Sequence, residues 1–135
     1  MAFQFSTSAR NAALDAIETT VGTSAVLKIF TGAAPADCST ADSGTELAVL
    51  SLPSDWLAGA SGGSKALSGT WEDTSADDTG TAGHFRVYDS GETTCHIQGT
   101  ISATGGGGDM TLDNTSIATG QSITITSFTI TAGGA

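Results

Sequence analysis

The stretch His84-Phe85-Arg86-Val87-Tyr88, followed by Asp89-Ser90-Gly91-Glu92 and then Thr93-Thr94-Cys95-His96-Ile97-Gln98-Gly99-Thr100-Ile101, carries the plainest structural signal in the chain. Its first part alternates strictly, placing Phe85 and Val87 on one face and His84, Arg86 and Tyr88 on the other. The middle part is loop chemistry, with Gly91 free to adopt a positive φ. The return run sets Cys95, Ile97 and Ile101 against Thr94, His96 and Gln98. Together these residues predict a β-hairpin with one apolar and one polar face.

Working outward, the same alternation recurs in short pieces. Residues 25–31, 46–52, 65–72, 110–112 and 122–131 read as strands, with Pro53 closing the second because proline cannot donate to a ladder. In the last run Ile123 and Ile125 are out of phase with Phe128 and Ile130, which predicts a bulge near Thr126-Ser127. The 32–44 segment reads as a loop. Gly105-Gly106-Gly107-Gly108 reads as a flexible connection, since Asp109-Met110 stands where a phosphate-binding loop needs Gly-Lys.

Before the strands comes one helical pattern, residues 8–21. Ala13, Leu14, Ile17 and Val21 share a face, Arg10, Asp15 and Glu18 fall largely opposite, and Gly22 is placed to stop it. The expected architecture is mainly β: an antiparallel β-sandwich or small barrel with one short N-terminal helix, in a single domain spanning 1–135. Residues 1–7 form an N-terminal arm, 8–21 the helix and 25–135 the β domain.

The chain has 135 residues, a hydrophobic fraction of 39% and eight aromatic residues, enough for one thin core. Four Lys and Arg against fourteen Asp and Glu give a formal net charge of −10. So acidic a surface repels phosphate backbones, so nucleic acid is not an expected partner. No run approaches a membrane span, and Met1-Ala2-Phe3-Gln4-Phe5 does not resemble a signal peptide. Synthesis in a cytoplasm is therefore expected, with Cys38 and Cys95 as free thiols.

Catalytic and metal-binding patterns fail in turn. Cys38, His84, Cys95 and His96 lack zinc spacing: His84 and His96 could meet across the hairpin, but Cys95 points away from His96. Asp73, Ser75, Asp77 and Asp78 resemble the start of a calcium loop, yet the sixth and twelfth positions hold Asp78 and His84 instead of Gly and Glu. No Gly-x-Ser-x-Gly elbow is present. No catalytic residue, metal or cofactor is expected. The candidate partner-binding residues are Phe3 and Phe5, on an arm suited to strand addition, and Trp56 and Trp71, which belong to the core, a subunit interface or a sugar platform.

The block Gly80-Thr81-Ala82-Gly83-His84-Phe85-Arg86-Val87-Tyr88-Asp89-Ser90 with Gln98-Gly99-Thr100 resembles small virion structural proteins of tailed bacteriophages and prophages. So do Gly108-Asp109-Met110-Thr111-Leu112 with Ile117, Gly120-Gln121 and residues 123–130, and the segments Leu27-Lys28-Ile29 and Gly32-Ala33-Ala34-Pro35. The resemblance covers nearly the whole chain and implies a virion protein without catalytic residues. Size, β-richness and acidity narrow the expectation to a head decoration, or cement, protein on the capsid surface. Its expected partners are the major capsid protein and further copies of itself, a trimer being favoured. The alternatives are a neck, tail or fibre component, and a carbohydrate-binding β-sandwich module using Trp56 or Trp71.

Overall fold

The computed structural model describes residues 3–135, so the first two residues of the expected arm lie outside it. Helix α1 spans Thr7–Val21. The Ser6 side chain caps it by accepting a hydrogen bond from the Ala9 amide at 3.1 Å. Gly22, at φ 93°, ends it while its own amide donates to the Glu18 carbonyl.

Ten strands follow: β1 Val26–Thr31, β2 Glu46–Ser51, β3 Ser64–Ala66, β4 Trp71–Asp73, β5 Gly80–Tyr88, β6 Cys95–Ala103, β7 Met110–Leu112, β8 Ser116–Ile117, β9 Ile123–Ile125 and β10 Thr129–Thr131. The main sheet runs β2-β1-β5-β6-β7, and β8 pairs with the start of β5. Two ribbons, β3 with β10 and β4 with β9, complete the β structure. The protein is mainly β, with one N-terminal helix and a curled, antiparallel-rich sheet of the kind found in sandwiches and small barrels. Among the described residues no helix is long and apolar enough to cross a membrane.

The core sits on the concave side of the sheet. Leu27, Ile29, Ala48, Leu50, Phe85 and Val87 point into it, as the β1–β2 and β1–β5 registers require. An aromatic chain crosses it: Trp56 to Trp71 at 6.0 Å between ring centroids, Trp71 to Phe128 at 5.6 Å, and Phe128 edge-on to Phe85 at 5.5 Å. Both indole N–H groups find carbonyls, Trp56 that of Gly22, and Trp71 those of Trp56 and Ser68. One apolar cluster runs from Val21 of α1 to Phe128.

Four expectations change in physical detail. The 65–72 and 122–131 runs are each broken in two, because the ribbon they form bends. Four residues, 67–70, face three, 126–128, with Leu67 N–H donating to Phe128 O at 2.9 Å across the gap. The phase change at Thr126-Ser127 is real, but the extra residue sits on the opposite strand.

In the hairpin loop it is Glu92, at φ 56°, and not Gly91 that takes the left-handed conformation. Asp89 organises that loop by accepting from the Thr93 amide and hydroxyl.

The glycine loop is a tight reversal, not a slack connection. Gly105 and Gly107 adopt φ 85° and 82°, and β7 returns parallel to β6 with Ile101 opposite Met110. So short a parallel return is feasible because glycine meets no steric penalty there. Ser102 Oγ accepts from Gly108 N, and Asp109 accepts from Thr100, pinning both ends.

Finally, Cys95 does not lie on the apolar face. The β5–β6 register shifts between Val87 and Tyr88, so Val87 pairs with Ile97 but Tyr88 with Cys95. That irregularity turns Cys95 onto the face of Arg86 and Tyr88.

Candidate functional site

The polar face of β5 is buried, and its burial organises the largest loop. His84, Arg86 and Tyr88 are 0%, 1% and 6% exposed, because residues 32–44 fold over them. Arg86 Nη1 donates to Asp42 Oδ1 at 2.6 Å, and its Nη2 donates to the carbonyls of Cys38 at 2.9 Å and Asp37 at 3.4 Å. The Tyr88 hydroxyl donates to the same Asp42 oxygen. His84 Nδ1 meets Gly32 O at 2.9 Å, and Gln98 Nε2 donates to Pro35 O at 2.8 Å. The loop rests so close to β5 that a Cβ on Gly83 would stand 2.2 Å from Gly32 O. Burial raises the Asp42 carboxyl, but the Tyr88 and Arg86 bonds outweigh it and hold the group below its ordinary value of 3.8.

A second polar clamp holds the helix. Lys65, 2% exposed, lies between Asp15 Oδ1 at 2.7 Å and Glu18 Oε1 at 3.1 Å. The same carboxylates accept from the amides of Ala60 and Leu57, and Asn11 accepts from Gly63. Asp15 and Glu18, placed by the sequence pattern opposite the apolar face of the helix, are thus docking groups. Lys28 is held by Glu92 at 3.1 Å and Glu46 at 3.6 Å, and Arg10 bonds Thr7 beside Gly63. Three of the four Lys and Arg side chains are paired with the chain's own carboxylates, and the acids in excess set the sign of the surface.

Phe3 and Phe5 are the exposed large hydrophobic residues among those described, at 83% and 50%. Their rings meet edge-on at 5.1 Å, forming one aromatic knob. The arm is tethered to the other end of the chain: Phe5 N–H donates to Gly134 O at 2.7 Å, and Gln4 Nε2 to Ala135 O at 3.4 Å.

Trp56 and Trp71 are not part of any such surface. Each is 0% exposed, so neither offers the open indole face that a sugar platform or a partner contact needs. The core role is the one the structure supports for both.

The remaining candidates are dispersed. His84 pairs with Thr100, while His96 lines a shallow cleft with Ala13, Ala16, Ile17, Thr20 and Val21 of α1, so the two histidines do not meet. Asp73 accepts from the amides of Val49 and Ser75, and Asp78 from that of Thr79; these acids serve as turn and strand-end acceptors. Among the described residues no three His, Cys, Asp or Glu side chains gather as a metal cluster. Cys38 and Cys95 are both half-buried and do come together, lining one surface cavity with Arg86 and Tyr88.

Sequence reasoning missed the two polar clamps. The signal available was composition: in a chain with four cations, each sits in or beside an extended or helical segment with acids a loop away. No protein-family model, curated protein or solved structure matches this chain.

Proposed function

We propose that this chain is a bacteriophage virion structural protein, a head decoration protein that binds the outer capsid surface in many copies and without catalysis. One observation carries the physical side of the reading: the Phe3–Phe5 knob, the large apolar surface left open on a chain that otherwise buries its aromatic residues. Exposed aromatic anchors are the residues that dominate protein–protein contacts. The arm lies beside the C-terminal segment, where Phe5 N–H already bonds Gly134 O, a strand-like pairing that a partner strand could extend. The resemblance read from the 80–90 and 108–130 segments in the sequence points toward a tailed-phage setting for this proposal. An acidic exterior favours a basic partner surface and disfavours DNA.

The partners under this reading are the major capsid protein and further copies of the chain, arranged as a trimer, located on the capsid surface. Repetition lets individually weak contacts resist pressure from within the shell. The test is quantitative mass spectrometry of purified particles from the phage or prophage encoding this chain. Copy number close to that of the capsid subunit supports the reading. A handful of copies moves the protein to the neck, tail or fibre, and absence from the particle overturns a virion role altogether.

A further inference from the structure

The polar face of β5 brings together two thiols that the chain separates by more than fifty residues. Cys38 belongs to the covering loop 32–44, and its carbonyl is fixed by Arg86 Nη2 at 2.9 Å. Cys95 opens β6 opposite Tyr88, on the same face as Arg86 because of the register shift described above. The two residues line one cavity that opens to solvent, together with Arg86 and Tyr88. Both are free thiols in this structure. The loop and the strand are thus held side by side at this cavity by the Arg86 bonds to the Cys38 carbonyl and to Asp42.

We propose that Cys38 and Cys95 form a reversible disulfide, a redox modification site that locks the 32–44 loop onto β6 above the Arg86–Asp42 pair. The oxidant is a small-molecule disulfide such as oxidised glutathione. The Cys38 thiolate attacks one sulfur of it, forming a mixed disulfide and expelling one glutathione thiolate. Cys95 then gives up its proton, and its sulfur attacks the Cys38 sulfur. The Cys38–Cys95 bond forms as the second glutathione thiolate leaves. Two protein thiols are oxidised to one disulfide, one glutathione disulfide is reduced to two thiols, and the two protons pass to the departing thiolates.

The order of attack follows from the surroundings. Burial, with Cys38 as the second cause, pushes the Cys95 thiol up to about 11, which disfavours it as the first attacking group. The lock acts on a loop fixed to the sheet by polar contacts: Asp42 with Arg86 and Tyr88, the Asp37 and Cys38 carbonyls with Arg86, Gly32 with His84 and Pro35 with Gln98.

The experiment equilibrates the full chain in an equimolar mixture of reduced and oxidised glutathione, then quenches with acid and measures intact mass and peptide map. The expected product is a monomer lighter by two hydrogen atoms, with Cys38 and Cys95 linked in one peptide pair, reversed by a reducing agent. In Cys38→Ser and Cys95→Ser the remaining thiol carries glutathione instead. Hydrogen exchange of amides across residues 36–42 slows about tenfold or more in the oxidised form. Separate glutathione adducts on both cysteines without closure would overturn the proposal. Disulfides between chains, or closure without added protection of the loop, would do the same. The wild-type peptide map decides the linkage even if a serine variant fails to fold.

Discussion

Replacing Asp42 with alanine removes the carboxylate that Arg86 and Tyr88 share, and the structure sets the size of the loss. Arg86 is 1% exposed and keeps two backbone carbonyls, so it loses one charge-assisted bond of 2.6 Å. Such a bond contributes about 1.5–3 kcal/mol. The Tyr88 hydroxyl loses its acceptor in a residue 6% exposed, a further cost of about 1–2 kcal/mol. Against this, the Asp42 side chain is 41% exposed, so solvent already screens it and trims the total by roughly half. The net expectation is about 1–2.5 kcal/mol. With a urea m-value of about 1–3 kcal/mol/M, equilibrium denaturation followed by tryptophan fluorescence should shift its midpoint by roughly 0.4–2.5 M. Asp42→Asn, which keeps an oxygen but not the charge, should lose about half as much. Tyr88→Phe combined with Asp42→Ala should cost less than the two separately, by at least ~0.5 kcal/mol, since they break the same bond. A loss below about 1 kcal/mol for Asp42→Ala, or strict additivity with Tyr88→Phe, would refute the view that this pair fastens the loop.

Other consequences are as direct. Trp71→Ala should destabilise the fold by about 3–5 kcal/mol, and glycan binding should be absent from the wild type, which offers no exposed indole. Gly83→Ala, which places a methyl group against the Gly32 carbonyl, should cost about 1–3 kcal/mol and increase proteolysis within residues 32–44. Asp15, Asp37, Asp42 and Asp89 all titrate below their ordinary 3.8, through hydrogen bonds to Lys65, Ser39, Tyr88 and Thr93 that favour the ionised form. Their stabilisation is complete above the unfolded-state pKa and is lost as pH falls through the lower folded values. Thermal midpoints should therefore be level from pH 7 to about 5 and drop below about pH 4. Removing the aromatic knob with Phe3→Ala and Phe5→Ala should change monomer stability by less than ~0.5 kcal/mol. Light scattering should show the wild type at three times the 13.3-kDa chain mass and the double variant shifted toward the monomer.

The β5–β6 hairpin and α1 were legible in the sequence because their signals are local. Period-two alternation, Gly22 at the end of the helix, and a loop-forming cluster at 89–92 act within a few residues. What was not legible depends on distant partners. Nothing near Arg86 announces that residues 37–42 will cover it, and a strand alternating apolar and polar residues looks half-exposed until its polar face is roofed. The turn of Cys95 onto that face depends on a single register shift, which no pattern within β6 encodes. Likewise the break at 126–128 arises from an extra residue on the partner segment 67–70. At the candidate surface, Phe3 and Phe5 were legible as an arm, whereas Trp56 and Trp71 required knowledge of the core to be removed from it.

The central claim is that the molecule works by adhering to a capsid through its aromatic arm. Its most direct test adds purified wild-type chain and the Phe3→Ala, Phe5→Ala variant back to capsids of the encoding phage that lack this protein, and counts bound copies after sedimentation. The account predicts saturable binding of the wild type near one copy per capsid subunit and little binding by the folded variant. Equal binding by both would contradict the role given to the arm, and no binding by either would contradict the decoration role itself.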